Sequence, residues 1–252
     1  MEINYHIKIN REDVGEYAVL TGDPARVERI AKYLDKPYKA GQNREYTTYT
    51  GYLGDVKVNV MSVGIGGPSM AIGVEELCKL GCKTFIRVGT SGGIDLSVKA
   101  GDIVIAASAV RQEGTSMEYL PAFFPAAADF EVITVLQQAA DEKGLPRHIG
   151  IVQSKDSFYG ELEPGRQPIR ERLIELWEVY KRTGVLVSEM ECAALFCLGS
   201  VLRIRTGAVL LCIWNEERKK AFGDVSEFHD TSRMYSVAIE ALRLLIRQDT
   251  KK

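Results

Sequence analysis

Residues 87–93 of the segment 84–94 place one arginine, two hydroxyl side chains and three glycines at the end of an apolar run. The run Phe85, Ile86 and Val88 is typical of a buried strand, and Arg87 interrupts it. A buried guanidinium requires an anion or a full set of acceptors. Glycines allow backbone N–H groups to approach a ligand closely, and Thr90 and Ser91 add hydroxyl donors. The segment therefore predicts an anion site at a strand end. The alternative is a glycine-rich β-turn whose arginine pairs with a neighbouring carboxylate.

A second candidate anion site follows a short apolar strand predicted at residues 17–20. Asp23 is a good N-cap and Pro24 suits the first position of a helix predicted to run from residue 26 to residue 34. Arg26 falls in the first turn, beside Gly22 and the free amides of the helix N-terminus. An arginine in this position is also commonly a surface residue.

Glu189 and Glu191 flank Met190 just before an apolar helix predicted at residues 192–202. Ser188 could cap that helix, and acids are favourable near its positive end. Stabilisation of the helix N-terminus accounts for the presence of one of the two glutamates. The second lies against an apolar segment, where its carboxylate would need hydroxyl or N–H donors of the kind a ribose diol supplies. Both a cap and a ligand contact therefore remain open.

Size and composition favour one globular domain over residues 1–252 and argue against several classes of partner. The net charge of −2 favours neither nucleic acid nor an anionic membrane. The five cysteines form no CxxC pair, and Cys78 and Cys82 lack further ligands for zinc, so free thiols in a reducing, cytoplasmic setting are expected. No apolar run reaches about 18 residues, so no membrane span is predicted.

Alternating strand and helix patterns predict an α/β fold with a mixed sheet and helices on both faces. Residues 112–128, 154–166 and 215–224 show little periodicity and are predicted as loops. The chain carries no Walker, HExxH or GxSxG pattern and no dinucleotide fingerprint. The residues thus indicate a site that binds an anion and a polyol without a metal or an obvious nucleophile.

Four separated motifs occur in an order that resembles the nucleoside phosphorylases of the trimeric/hexameric type, and most closely the members that act on uridine. They are residues 22–26 (Gly-Asp-Pro-Ala-Arg), 62–69 (Ser-Val-Gly-Ile-Gly-Gly-Pro-Ser), 87–93 (Arg-Val-Gly-Thr-Ser-Gly-Gly) and 189–191 (Glu-Met-Glu). The resemblance implies a single domain with a mixed, distorted barrel-like central β-sheet flanked by helices. It also implies a pentosyltransferase that converts uridine and related pyrimidine nucleosides, with phosphate, to the base and ribose 1-phosphate.

The resemblance also assigns roles to residues. Phosphate would be held by Gly22, Arg26, Arg44, Arg87, Gly89 and Thr90. Ribose would contact His6, Thr90, Glu189, Met190 and Glu191. The base would contact Ser91, Gly92, Phe158, Glu161, Arg166, Ile213 and Trp214. Arg87 and Glu191 would be the catalytic pair.

The same resemblance implies a homo-oligomer. Arg44 and His6 would reach the site from a neighbouring subunit, which gives shared active sites in a hexamer built as a trimer of dimers. Glu45, Ile65 and Ser69 match positions that bind potassium at the dimer interface. No cofactor is needed for the chemistry.

The base-binding segment departs from the family pattern. Glu161 stands where a glutamine is expected. In the pocket, its carboxylate would favour N–H donors over carbonyls and shift preference toward amino-bearing bases. The alternative is that Glu161 points outward, so that a water or a backbone group replaces the amide. Trp214 could narrow the base pocket. Asn215 stands where purine-specific members carry an acid, although Glu216 or Glu217 could serve instead. Alternatives to a uridine-cleaving enzyme are therefore a purine nucleoside phosphorylase, a hydrolytic nucleosidase, or a nucleoside-binding protein without turnover.

Overall fold

Five strands of the central sheet close into a ring in the computed structural model, which describes residues 4–251. The strands are β1 (Tyr17–Thr21), β2 (Asp35–Asn43), β3 (Tyr46–Leu53), β4 (Val56–Ser62), β5 (Thr84–Gly93), β6 (Ile103–Gln112), β7 (Ala126–Ala127), β8 (Arg147–Lys155), β9 (Val187–Glu189) and β10 (Arg205–Asn215). The ring runs β10–β6–β8–β9–β5 and returns to β10, while β1, β4, β3 and β2 extend from β5. The predicted barrel-like mixed sheet is confirmed.

Helices cover both faces of this sheet, as predicted. They are α1 (Pro24–Ala31), α2 (Gly67–Lys79), α3 (Thr115–Tyr119), α4 (Phe130–Glu142), α5 (Phe158–Leu162), α6 (Arg170–Arg182), α7 (Cys192–Leu202), α8 (Glu216–Phe222) and α9 (Ser232–Asp249). Within residues 4–251, none of these helices combines the length and the apolar character needed to cross a bilayer.

Alternation along β5 decides which face each side chain enters. Ile86 and Val88 pack in the core beneath α1, α4 and α9. Phe85 packs in the opposite core, which α2 and α7 cover. Because Arg87 has the same parity as Phe85, it points toward the beginning of α7 rather than toward the α4–α9 layer.

The glycines that end β5 lie in the strand and do not form the predicted turn. Gly92 pairs with Ser188 of β9 on one edge and with Trp214 of β10 on the other. A Cβ on Gly93 would lie 2.4 Å from Asn215 Nδ2, and one on Gly92 would lie 3.3 Å from the Trp214 ring. These glycines therefore make room for the side chains of β10, and this allows the ring to close.

The three segments predicted as loops contain short helices. Side-chain caps explain two of them: Gly160 N donates to Ser157 Oγ over 3.0 Å at α5, and Arg218 N donates to Asn215 Oδ1 over 3.1 Å at α8. Five to seven residues are too few to show a helical period. Strand β2 was not predicted, because this edge strand is largely exposed and carries no apolar alternation.

Candidate active site

A cavity of about 1200 Å³ opens where the carboxyl ends of several strands meet. Fourteen of the predicted site residues line it: Gly22, Arg26, Ile65, Arg87, Gly89, Thr90, Ser91, Gly92, Phe158, Glu161, Glu189, Met190, Glu191 and Trp214. Residues from β5, from β9 and from the segment directly after β1, which are far apart in sequence, thus line one cavity. The order of the motifs along the chain does not show this convergence.

Arg87 forms a buried ion cluster with the two glutamates of the residue 189–191 motif. Its Nη2 lies 3.0 Å from Glu189 Oε2 and also donates to Glu191 Oε2, while its Nε donates to Glu189 Oε2 over 3.2 Å. Its side chain is only 4% exposed. Burial alone would lower the pKa of Arg87, but Glu191 and Glu189 outweigh burial and raise the pKa above its ordinary value. The arginine therefore pairs with carboxylates and lines the cavity at the same time.

Gly89 allows the guanidinium to take this position. Gly89 lies two residues after Arg87 on the same strand, and the arginine side chain folds back across it. A Cβ on Gly89 would lie 2.1 Å from Arg87 Nη1 and 2.7 Å from Arg87 Cζ. Any side chain at this position would therefore displace Arg87.

The two glutamates have different surroundings. The Glu189 carboxylate accepts from the backbone N–H groups of Glu191 and Cys192 over 2.9 and 3.0 Å, and also from the Ser154 hydroxyl. Together with Arg87, these donors fill its oxygens and fix the start of α7. Glu189 thus provides the cap that the sequence predicts for Ser188, whose hydroxyl accepts from Lys155 Nζ instead.

Glu191 has fewer partners and a less favourable environment. Gly66 N donates to Glu191 Oε1 over 2.6 Å, and Arg87 donates to the other oxygen. Burial raises the pKa of Glu191 above its ordinary value of 4.5; Arg87 opposes this shift and Glu189 adds to it. Gly66 has a φ of 96°, a conformation that favours glycine, so the glycine loop after β4 is shaped to present this N–H.

Gly22 and Arg26 form one end of the cavity, together with Arg87 and Thr90. Ala25 N donates to Asp23 Oδ1 over 2.8 Å, and Pro24 occupies the first turn, so the predicted cap is confirmed. Arg26 Nε is 3.8 Å from Asp23 Oδ2, a loose pair that leaves the guanidinium available. This end of the cavity therefore offers two guanidinium groups, a helix N-terminus and a hydroxyl.

A second part of the lining, here called the aromatic end, contains Phe158, Trp177 and Trp214. It carries an ion pair between Lys155 and Glu161. Lys155 Nζ donates to Glu161 and, over 2.6 Å, to Ser188 Oγ. Glu161 is therefore in the pocket, but the neighbouring cation offsets the repulsion of base carbonyls that a lone carboxylate would cause.

The cavity is also lined by Lys155, Gln112 and Trp177, which no pattern in the sequence indicated. Lysine and glutamine at strand ends are usually surface residues, and a tryptophan in an amphipathic helix usually packs in a core. Lys155 falls in residues 154–166, which were predicted as a loop, whereas it is the last residue of β8.

Six predicted site residues do not line the cavity of a single chain. Arg166 is the clearest correction: its side chain is 73% exposed and pairs with Glu163, because the turn at residues 164–166 directs it outward. Ile213 lies in β10 but is not part of the lining. His6 Nδ1 lies 2.6 Å from Glu76 Oε1, and Arg44 is exposed at the β2–β3 connection.

The remaining two, Glu45 and Ser69, lie beside Ile65 around Gly64. Ser69 Oγ donates toward Ile65 O and Gly66 O, both over 3.3 Å. A Cβ on Gly64 would lie 3.1 Å from Glu45 Cγ and 3.4 Å from Ser69 Oγ. A carboxylate, a carbonyl and a hydroxyl, all oxygen donors, therefore lie close together.

Asn215 and Glu217 are both committed to structural contacts. Asn215 Nδ2 donates to Asp95 O and Val98 O, and its Oδ1 caps α8. Glu217 Oε1 accepts from Trp177 Nε1 over 3.0 Å and from Lys220 Nζ over 2.8 Å. Burial raises the pKa of Glu217, but these donors outweigh burial, so its pKa is lowered and it is unsuited to donate a proton.

The Phosphorylase superfamily model matches residues 16–246. The chain belongs to the phosphorylase superfamily. A uridine phosphorylase of Treponema pallidum is 51% identical over 251 residues, which is 100% of this chain and 97% of the relative. A uridine phosphorylase of Thermococcus kodakarensis is 39% identical, covering 99% of this chain and 89% of the relative. A guanosine phosphorylase of Halorubrum lacusprofundi is 36% identical, covering 81% and 80%.

Membership in the phosphorylase superfamily fits a cavity whose lining has one part with arginines and another part with aromatic side chains. This chain is a pentosyltransferase of the nucleoside phosphorylase type, whose substrates are phosphate and a nucleoside. A cationic end, a carboxylate and an aromatic end occur together in the same cavity, as such substrates require.

We predict that Gly89→Ala displaces Arg87 and lowers base release from a nucleoside in the presence of phosphate by about 100-fold, because misplaced catalytic groups cost about that much. Gly114→Ala is the matched control, since a Cβ there would meet only Asp156 Oδ2, at 3.6 Å. Initial rates of both variants give the comparison. Near wild-type activity of Gly89→Ala would contradict the claim that residue 89 must lack a side chain.

We predict that Glu217→Gln lowers the free energy of unfolding at pH 7 by about 1–3 kcal/mol, because charge-assisted hydrogen bonds are lost. A carboxyl with a lowered folded-state pKa stabilises the protein above its unfolded pKa, and this stabilisation is lost as pH falls through the folded-state pKa. The difference from the wild type should therefore shrink below pH 4.5. Urea unfolding at several pH values measures the free energy of unfolding of both proteins. If their difference did not change with pH, Glu217 would not be ionised in the folded protein.

Proposed function

We propose that this chain is a uridine phosphorylase that converts uridine and phosphate reversibly to uracil and ribose 1-phosphate. The observation that carries the proposal is the position of Arg87, which contacts Glu191 on one side and lines the cavity beside Gly22 and Arg26 on the other. Two uridine phosphorylase relatives that cover nearly the whole chain support it. We also propose that residues 1–252 form one domain.

Phosphate would bind at the end formed by Gly22, Arg26, Arg87 and Thr90. Gly89 belongs to this end because it makes room for Arg87. Bound phosphate would compete with Glu191 for the Arg87 guanidinium, since both are anions that accept from the same donors. Release of Arg87 would leave a Glu191 oxygen free to accept from the ribose hydroxyls. Binding of phosphate would thus prepare the ribose site.

Charge balance supports a shared site. Arg26 and Arg87 together offset only Glu189 and Glu191, so the charge of a phosphate dianion would be uncompensated within one chain. The partner subunit's Arg44 would supply one further positive charge, which offsets half of that of the dianion, and the partner subunit's His6 would approach the ribose 5′-hydroxyl. We therefore propose a homo-oligomer, a hexamer arranged as a trimer of dimers.

The reaction then needs only orientation and electrostatic stabilisation. A phosphate oxygen bonds to C1′ while the C1′–N1 bond breaks, and the base leaves with the electron pair. The sugar carries positive charge in the transition state, which phosphate and Glu191 stabilise. Glu189 holds Arg87 and the start of α7 in place, and Met190 packs against the sugar. Burial raises the pKa of the Cys192 thiol well above its ordinary value, which argues against a thiolate nucleophile near the site.

A pyrimidine fits the aromatic end better than a purine. Phe158 would stack on the base, while Ser91, Gly92 and Trp214 would border it. A purine enzyme would need an acid to protonate its leaving base. Asn215 and Glu217 cannot serve, because their side chains are held by structural hydrogen bonds, which leaves Glu216 as the one acid of residues 215–217 for that role. A hydrolytic nucleosidase would have no use for arginines directed toward a phosphate.

We further propose a potassium ion bound by Glu45, Ile65 and Ser69 at a subunit interface. The three supply oxygen donors, which suit a hard cation. Its contribution would be structural, because it would hold the glycine loop that presents Gly66 N–H to Glu191. The chemistry itself would need no cofactor.

The five free cysteines support a reducing compartment, the cytoplasm.

Assaying a panel of nucleosides with and without phosphate tests the function. We expect release of uracil from uridine only with phosphate, no release of guanine or adenine from their nucleosides, and no release of any base by Arg87→Ala. Gel filtration of Arg87→Ala should give the wild-type oligomer. Release of uracil without phosphate would indicate a hydrolase, and wild-type turnover by Arg87→Ala would contradict the phosphate assignment.

We predict that Glu191→Gln lowers kcat for uridine by about 100-fold or more while KM changes little, because a neutral amide stabilises the sugar cation less than a carboxylate does. Glu227→Gln, which changes an exposed acid that pairs with His229 and does not line the cavity, is the control. Steady-state kinetics measure both variants. An unchanged kcat in Glu191→Gln would remove Glu191 from the mechanism.

A further inference from the structure

Lys155 is a buried cation whose hydrogen bonds within residues 4–251 do not use all of its donors. It ends β8 and lines the cavity, yet its side chain is only 8% exposed. An ammonium group has three N–H donors. Glu161 Oε1 and Ser188 Oγ accept from Nζ, and they are its acceptors among the described residues. One N–H is therefore left for a molecule in the cavity.

The position of Lys155 is at the aromatic end. Its Nζ lies 5.5 Å from the centroid of the Phe158 ring. Gln112 is its neighbour in register on β6 and also lines the cavity. A base stacked on Phe158 would therefore lie beside the ammonium group, whereas Arg26 and Arg87 are the groups assigned to phosphate.

We propose that Lys155 is a catalytic residue that stabilises the negative charge developing on the departing base. This inference rests on the proposed function and deepens it. The guanidinium groups of Arg26 and Arg87 would bind phosphate, and the ammonium group of Lys155 would bind the departing base anion. Burial makes this contact stronger than it would be in water, because screening by solvent is weak there.

The charge moves as follows in the reaction. When the C1′–N1 bond breaks, its electron pair passes to the pyrimidine ring and spreads onto the carbonyl oxygens O2 and O4. Lys155 donates a hydrogen bond to one of these oxygens and keeps its own proton. The base leaves as an anion and takes its N1 proton from solvent after release. No oxidant or further reactant is required.

Glu161 holds Lys155 in place and complements the same edge of the base. A pyrimidine-dione presents a carbonyl next to an N–H, that is, an acceptor beside a donor. The ammonium group suits the carbonyl, and the carboxylate suits the N–H. Glu161 and Lys155 therefore match a uracil-like base as a pair, although Glu161 alone would repel its carbonyls.

The test compares two leaving groups in Lys155→Met. Fluorine at C5 withdraws electrons, so 5-fluorouracil departs as an anion more readily than uracil and needs less stabilisation. We expect Lys155→Met to lower kcat for uridine by about 100-fold, a typical effect of removing one stabilising donor. The loss for 5-fluorouridine should be several-fold smaller. A merely structural role would lower both rates by the same factor.

Two further variants complete the test. Lys83→Met is the control, because Lys83 also pairs with a glutamate but at the surface, 3.1 Å from Glu16; it should behave as the wild type. Lys155→Arg keeps the charge and should recover part of the uridine turnover, and it serves as the test if Lys155→Met fails to fold. Equal losses for both substrates, or no recovery in Lys155→Arg, would overturn the role of Lys155. If the wild type released no base with phosphate, the proposed function would fail as well.

Discussion

The ion cluster of Arg87, Glu189 and Glu191 is the interaction on which the rest of the site depends. It joins β5, β9, the glycine loop after β4 and the start of α7 through side chains that are almost fully buried. Without the guanidinium, two buried carboxylates would lie next to each other, and one of them would have to take up a proton. The cluster is therefore both a structural junction and a charged wall of the cavity.

The cluster also explains why the two glutamates are not equivalent. Glu189 accepts from two backbone N–H groups, a hydroxyl and Arg87, so its role is fixed before any ligand binds. Glu191 relies on Gly66 N–H and Arg87, and burial disfavours its charged form. A carboxylate that is held less firmly is the one that can exchange a protein donor for a substrate hydroxyl.

Much of the fold and part of the site could be predicted from the sequence. The buried strand around Arg87, the cap at Asp23 and the apolar helix after Glu191 follow from local patterns. Arg87 pairs with carboxylates, as one alternative required, but the glycines after it continue the strand and form no turn; the anion site stays a prediction, for which Arg87 lines the cavity. Local patterns could not separate Glu189 from Glu191, because their partners lie on β5, β8 and the loop after β4. The resemblance placed Arg166 in the pocket, and local patterns missed Lys155, because neither the outward turn at residues 164–166 nor the burial of the end of β8 leaves a periodic signal.

The glycines of β5 show how one residue type serves two purposes in one strand. Gly89 makes room for Arg87 within its own strand, whereas Gly92 and Gly93 make room for Trp214 and Asn215 of the neighbouring strand. Closure of the ring and shaping of the site are thus achieved within the same five residues. The most direct measurement of the central claim is a pair of crystal structures, without ligand and with saturating inorganic phosphate. We predict phosphate bound between Gly22 and Arg87, with the guanidinium turned from Glu191 toward it. An empty pocket at saturating phosphate, or an Arg87 that keeps its contact with Glu191 while phosphate binds elsewhere, would contradict the account.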